Sequence, residues 1–258
     1  MSYQTNVYPE IKLKIRTWFL LCLCMMLSFN AHSNNQWHEL SPGLEYQDLQ
    51  GGVLNPWSHI YVFRIDLNKN KFALLTAKKL AQKNASADQF GEFSKALLSI
   101  NGGFFDHEFK PLGLRIANKV QLNPMKRISW WGIFYIKDNL PYITNVRHFQ
   151  YSNDIDFAVQ SGPRLLINGR IPSLKPGVAD RTALGITEDN KVIILVSNNS
   201  AMTTKELAAI MKSHPLYCTN AINLDGGSSS QLYAKFNHFK LNVHGFSNVS
   251  DAIIVKRI

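Results

Sequence analysis

The stretch INLDGGSSS, residues 222–230, sets two apolar residues and an asparagine ahead of an aspartate, two glycines and three serines. A strand-like run thus ends in a carboxylate followed by residues with almost no side chain. An ordinary turn needs one or two such residues. Either this longer run only turns the chain, or it clears space for a ligand beside Asp225. SINGGFFD, residues 99–106, has the same form, with Asn101, Gly102 and Gly103 after an apolar run and Asp106 after two aromatics.

Working outward, each junction follows a helix-like segment. SADQFGEFSKALL (86–98) opens with Ser86 and carries Gln89 three residues later, a capping-box pattern, with Phe90, Phe93 and Leu97 at helical spacing. TTKELAAIMKS (203–213) sets Leu207, Ile210 and Met211 on one face behind a threonine cap. Most other segments are short, β-rich and bounded by Gly, Asn, Asp or Pro, among them HIYVFRIDL, WWGIFYI, TALGIT, KVIILVS and DAIIVKRI. KDN (137–139), EDN (188–190) and the Asn168-Gly169 pair of INGR read as hairpin turns. Helices leading into buried-looking strands predict an α+β fold: a single domain with a mixed, largely antiparallel sheet and a few packed helices. Polar residues at strand ends beside glycines are where such sheets tend to build sites.

The N-terminus reads differently. Lys12, Lys14 and Arg16 precede the apolar run TWFLLCLCMMLSFNA, and Ala31-His32-Ser33 has a small-x-small cleavage pattern. The run is short of the roughly 20 apolar residues of a spanning helix. Residues 1–33 are therefore expected to be a signal peptide and 34–258 an exported domain, periplasmic or secreted, with no stable membrane anchor after cleavage. Cys218 is then the remaining cysteine, read as buried and inert. The net charge of +10 comes from scattered basic residues with no nucleic-acid motif, so no nucleic-acid partner is expected. A diffuse positive field suits an anionic ligand. The oligomeric state is left open.

The chemistry narrows to a few side chains. Asp225 and Asp106 supply carboxylates, and Asn101 an amide that could orient a ligand. Gly102, Gly103, Gly226 and Gly227 permit close backbone approach. If a helical turn starts after Asp225, free N–H groups of 226–229 with the Ser228 and Ser229 hydroxyls would form an anion cradle. Arg181 in DRTALGI and Arg164 in SGPRLLINGR stand beside strand-like residues and suit a bidentate phosphate contact. His238 and His244 belong to no metal motif. No metal site or cofactor is expected, with a divalent cation left open. GxSxG and Walker patterns do not occur.

SINGGFFD, PLGL (111–114), SGPRLLINGR, RTALGI, VSNN (196–199) and INLDGGSSSQL follow one another in an order that resembles the phosphodiester glycosidase family, over roughly residues 95–256. The resemblance implies hydrolysis of a sugar-1-phosphodiester to free sugar and a phosphate monoester, with a glycan or sugar phosphate as partner. It implies that Asp225 or Asp106, acting alone or as a pair, activates water or steadies an oxocarbenium-like carbon. Arg181 and the 226–229 loop would then hold the phosphate. A non-catalytic exported domain binding an anionic glycan is the rival reading. A metal-dependent phosphodiesterase cutting P–O is a third. The catalytic reading requires Asp225 and Arg181 to share one cleft.

Overall fold

The computed structural model describes residues 36–50 and 56–258; the expected signal peptide, residues 1–33, lies outside them. HIYVFRI shows why strands dominate. Ile60, Tyr61, Val62, Phe63 and Ile65 are all buried, because both faces of the strand His59–Ile65 are covered. Tyr61, Phe63 and Ile65 face a large core, while Ile60 and Val62 face a second cluster that contains Leu207 and Met211. A strand covered on both sides loses polar alternation, which is why HIYVFRI has four consecutive buried residues, Ile60 to Phe63.

That strand belongs to a seven-stranded sheet with the order His38–Ser41, Leu44–Asp48, His59–Ile65, Val192–Asn198, Thr182–Thr187, Cys218–Asn223, Arg164–Leu166. A five-stranded sheet runs Val120–Asn123, Arg115–Ala117, Ile155–Ser161, Gly132–Lys137, Leu140–Asn145. Another runs Phe239–Val243, Leu232–Phe236, Leu98–Asn101, Asp251–Arg257, Asn70–Thr76. Phe63 from the first sheet, Phe134 and Phe157 from the second, and Leu98, Ile100 and Ile253 from the third meet in one core. The aromatic contacts there are edge-on or tilted, as between Phe72, Phe134 and Phe157.

Among the described residues, the pairings within these sheets are antiparallel throughout. The fold is mainly β, which corrects the expected α+β class and its mixed sheet. The helices Ala87–Ser94 and Thr204–Lys212 do precede buried strands, but they are short. The strands that follow, Leu98–Asn101 and Cys218–Asn223, join their neighbours antiparallel and close no parallel crossover. Turn chemistry supplies many of the connections. Asp138 and Asn139, and likewise Asn168 and Gly169, have positive φ, as two-residue hairpin loops require.

The first helix opens with the expected capping box of Ser86 and Gln89, and the threonine cap of the second, Thr203, forms a box with Glu206. The first is shorter than its sequence pattern. Lys95 turns left-handed and ends it, so Leu97 lies beyond it and Phe93 faces solvent. Phe90 alone of the three anchors it to the sheet, packing with Ala252 and Ile254. Cys218 is buried as a free thiol, and that burial raises its pKa.

Candidate active site

The strand Cys218–Asn223 delivers Asp225 to the wall of a cleft of about 520 Å³. Arg181, which directly precedes the strand Thr182–Thr187, lines the same cleft. These strands are neighbours, with Ala183 opposite Asn223, so sheet register brings the acid and the guanidinium together.

The two glycines after Asp225 have separate reasons. A Cβ on Gly226 would lie 2.9 Å from the Asp180 carbonyl, and Gly227 has φ +61°. The first permits close approach and the second a left-handed turn. The chain then makes a 3₁₀ turn, Gly227–Ser229. Its amides are not the expected open cradle. Gly226 N–H donates to the Asp225 carboxylate at 3.0 Å and Gly227 N–H to the Asp180 carbonyl at 2.7 Å. Those of Ser229 and Ser230 donate to Gly226 and Gly227 carbonyls at 3.3 and 3.1 Å. The loop therefore spends its donors on shaping itself and on Asp225. Ser229 is buried and its hydroxyl bonds the Asp225 carboxylate; Ser228 is exposed, and neither lines the cleft.

Burial raises the Asp225 pKa above the usual aspartate range, against the lowering effect of the Ser229 and Gly226 bonds. Asp251 raises it further and Arg115 lowers it. Those two form an ion pair in which both side chains are fully buried, with Arg115 Nε 3.1 Å from Asp251 Oδ2. Arg115 also donates to the carbonyls of Leu112, Leu114, Gln160 and Phe104, and Ser250 donates to Asp251 at 2.8 Å.

This pair explains SINGGFFD. A Cβ on Gly102 would fall 1.8 Å from Asp251 Oδ1, and one on Gly103 would fall 2.8 Å from an Arg115 nitrogen. Gly102 and Gly103, expected beside ligand, are buried, clear room for the ion pair and do not line the cleft. Asn101 is also buried, as a brace. Its Nδ2 donates to the Asp225 carbonyl at 2.8 Å and to the Gly102 carbonyl at 3.2 Å. Its Oδ1 accepts from Thr182 Oγ1 at 2.8 Å and from Gln231 N–H at 3.2 Å. With its bonding capacity used, Asn101 braces the Asp225 backbone and does not line the cleft. Asp106 caps its own loop instead, with Oδ1 accepting from the amides of Glu108 and Lys110, both at 2.9 Å. It does not line the cleft, so the cleft does not pair Asp106 with Asp225.

Arg181 is held by carbonyl oxygens, with Nε donating to Met202 at 2.9 Å and a terminal nitrogen donating to Gly177. Among the described residues no carboxylate ion-pairs with it, and burial lowers its pKa. A desolvated guanidinium with no carboxylate partner is disposed to take an anion. Arg164 is half-buried, and its Nε is buried without a hydrogen-bond partner, but it stands outside the cleft lining.

The cleft contains residues the sequence did not reveal. Phe104 and Trp130 form an aromatic side, and both neighbour Trp131, at 5.2 and 5.9 Å between ring centroids. Lys175 adds a second cation, and Ser173, Thr204 and Asn223 add polar atoms. Trp130 lies in the turn just before the strand Gly132–Lys137, where no strand or helix period marks the direction of its side chain. Among the described residues no group of three His, Cys, Asp or Glu side chains is arranged to hold a metal ion.

An acid, a desolvated guanidinium and an aromatic wall thus stand together in one cleft. Residues 94–256 match the family model described as phosphodiester glycosidase, and the chain belongs to that family. The Escherichia coli (strain K12) protein YigE is 35% identical over 150 residues, a match that spans 54% of this chain and 58% of that protein. The zebrafish N-acetylglucosamine-1-phosphodiester alpha-N-acetylglucosaminidase catalytic domain, auto-inhibited by its pro-peptide, shares the fold at TM-score 0.62 and 17% identity, covering 84% of this chain and 85% of that one. A hypothetical protein from Synechocystis shares it at TM-score 0.61 and 16% identity, covering 85% of this chain and 63% of that one.

Proposed function

We propose that this chain hydrolyses the C1–O bond of a sugar-1-phosphodiester in an envelope or exported glycan. The observation that supports this most is the shared cleft of Asp225 and Arg181 in a chain of this family. Water oxygen bonds to C1 as the C1–O bond breaks, and the phosphate monoester leaves with the bridging oxygen and its electron pair. Asp225 takes the water proton, or first steadies the positive carbon. Arg181 and Lys175 hold the phosphate charge as it develops. A phosphate leaves without strong acid assistance, so a cleft with one lining carboxylate suits this bond better than it suits an ordinary glycoside. Trp130 and Phe104 offer a flat face to the sugar ring. The zebrafish relative's printed activity makes an N-acetylglucosamine-1-phosphodiester the first substrate to try.

The test is incubation of the purified protein with a panel of sugar-1-phosphodiesters in ¹⁸O-water, followed by mass analysis. Label in the released sugar is expected. Label in phosphate would mean P–O cleavage, and tight binding without release would mean a binding module; either result overturns the proposal.

Arg181→Ala is expected to lower kcat on phosphodiesters by about 10²-fold, the scale of one lost electrostatic stabiliser. Turnover of uncharged aryl glycosides, measured in parallel, should change far less. An equal loss on both substrates would remove the phosphate role.

A further inference from the structure

A second concavity, of about 510 Å³, is lined by Met125, Arg127, Ser129, Val146, Arg147 and Phe149. Its arginines come from two different turns, each tied down. Segment 124–131 is held by the buried Gln160, whose Nε2 donates to the Lys126 carbonyl at 2.6 Å and whose Oε1 accepts from Lys126 N–H at 2.9 Å. The other turn follows the strand Leu140–Asn145. There Asn145 Oδ1 accepts from Arg147 N–H at 2.8 Å, and its carbonyl accepts from the amides of His148 and Phe149 at 3.0 and 3.1 Å. Asn145 Nδ2 also donates to the Ser129 carbonyl at 3.3 Å. One asparagine thus ties both arginine-bearing turns together.

The charge there is all of one sign. Segments 124–131 and 141–149 contain Lys126, Arg127, Arg147 and His148 and no Asp or Glu. Among the described residues neither Arg127 nor Arg147 has an ion pair. Two guanidinium groups around one concavity suit a phosphate, which each can grip with two parallel bonds. Placement connects this concavity to the cleft. Ser129 lines the second while its neighbour Trp130 lines the first. Arg127 and Trp130 are three residues apart, so their backbones lie within roughly 11 Å of each other.

We infer that the Arg127–Arg147 concavity is a subsite for a further phosphate of the same ligand, and that the substrate is a glycan in which phosphodiesters recur. The substrate part of this inference rests on the proposed phosphodiester glycosidase activity; the anion site does not.

The experiment compares one sugar-1-phosphodiester with an oligomer of about six of the same repeats, using wild type and an Arg127→Glu/Arg147→Glu double variant. The double variant is expected to raise KM for the oligomer by at least about tenfold, with kcat and all kinetics on the single diester unchanged. Calorimetric titration of the oligomer into both proteins reads binding without turnover. Sugar release from both substrates with an indifferent double variant overturns the subsite and leaves the activity standing. Binding of the oligomer that the double variant loses, with no release from either substrate, retains the anion site and overturns the activity. No difference between the proteins in either measurement means solvated arginines only.

Discussion

Asp225→Asn is expected to lower turnover of sugar-1-phosphodiesters by about 10²–10⁴-fold, the range over which a positioned proton acceptor contributes. The substitution keeps the shape of the side chain, and its oxygen can still accept from Gly226 N–H, so the loop has little reason to move. The pH dependence carries the sign. Activity requires ionised Asp225, and burial holds its pKa above the ordinary aspartate range. The acid limb of kcat/KM should therefore lie above that of a solvent-exposed aspartate. Ser229→Ala removes a bond that lowers the Asp225 pKa, so it should move the limb higher still. A limb at the ordinary position, or an active Asp225→Asn protein with its fold intact, would remove Asp225 from the chemistry.

The same raised pKa makes a stability prediction. A carboxyl that binds its proton more tightly when folded stabilises the fold below its unfolded-state pKa. That contribution is lost as pH rises through the folded-state pKa. At neutral pH the buried charge therefore costs stability, and asparagine relieves it. Asp225→Asn should melt at the wild-type temperature or above. A site maintained against stability in this way is the ordinary trade between a catalytic group and its fold.

How much of this was legible in the sequence follows from the range of each interaction. The turns at 137–139 and 168–169 are set by local backbone preference and read correctly. The junction at 222–230 could be singled out because an acid followed by glycines and serines has no ordinary core role, and Asp225, Gly226 and Gly227 do line the cleft. Arg181 could be named because it stands immediately before a continuous apolar strand. What failed depended on partners distant along the chain. Gly102 and Gly103 have the composition of a ligand loop, yet their space is filled by Arg115 and Asp251, the latter at the other end of the domain sequence. Sequence composition does not show that the amides of 226, 227 and 229 are taken by the Asp225 carboxylate, the Asp180 carbonyl and the loop's own Gly226 carbonyl. Phe104, Trp130 and Lys175 sit in or beside irregular segments, where no period of 2 or 3.6 fixes the direction of a side chain. The largely antiparallel pairing was legible from the short strands and their turns, while the expected parallel component was not found, because helix order suggests crossovers and strand pairing is decided by the whole core.

Asp251→Asn should cost roughly 3–5 kcal/mol, the scale for breaking a buried pair by removing one partner. That is a large part of a domain's total stability of about 5–15 kcal/mol. The carbonyls around Arg115 limit the loss without neutralising its charge. Gly102→Ala reaches the pair from the other side: its new methyl would fall 1.8 Å from Asp251 Oδ1, so the carboxylate must leave Arg115 or the strand must shift. Denaturant unfolding of both variants should show losses on this scale, and wild-type midpoints would show that the pair bears no weight. The catalytic consequence separates the pair's electrostatic effect from its structural one. Asp251 raises the Asp225 pKa and Arg115 lowers it, so Asp251→Asn leaves the positive charge unopposed. Ionised Asp225 is then favoured, and the acid limb of whatever activity remains should move to lower pH. Gly102→Ala keeps both charges, so it should lose stability with a smaller displacement of that limb. A limb that moves equally in both variants would mean that the pair acts on Asp225 only through the backbone.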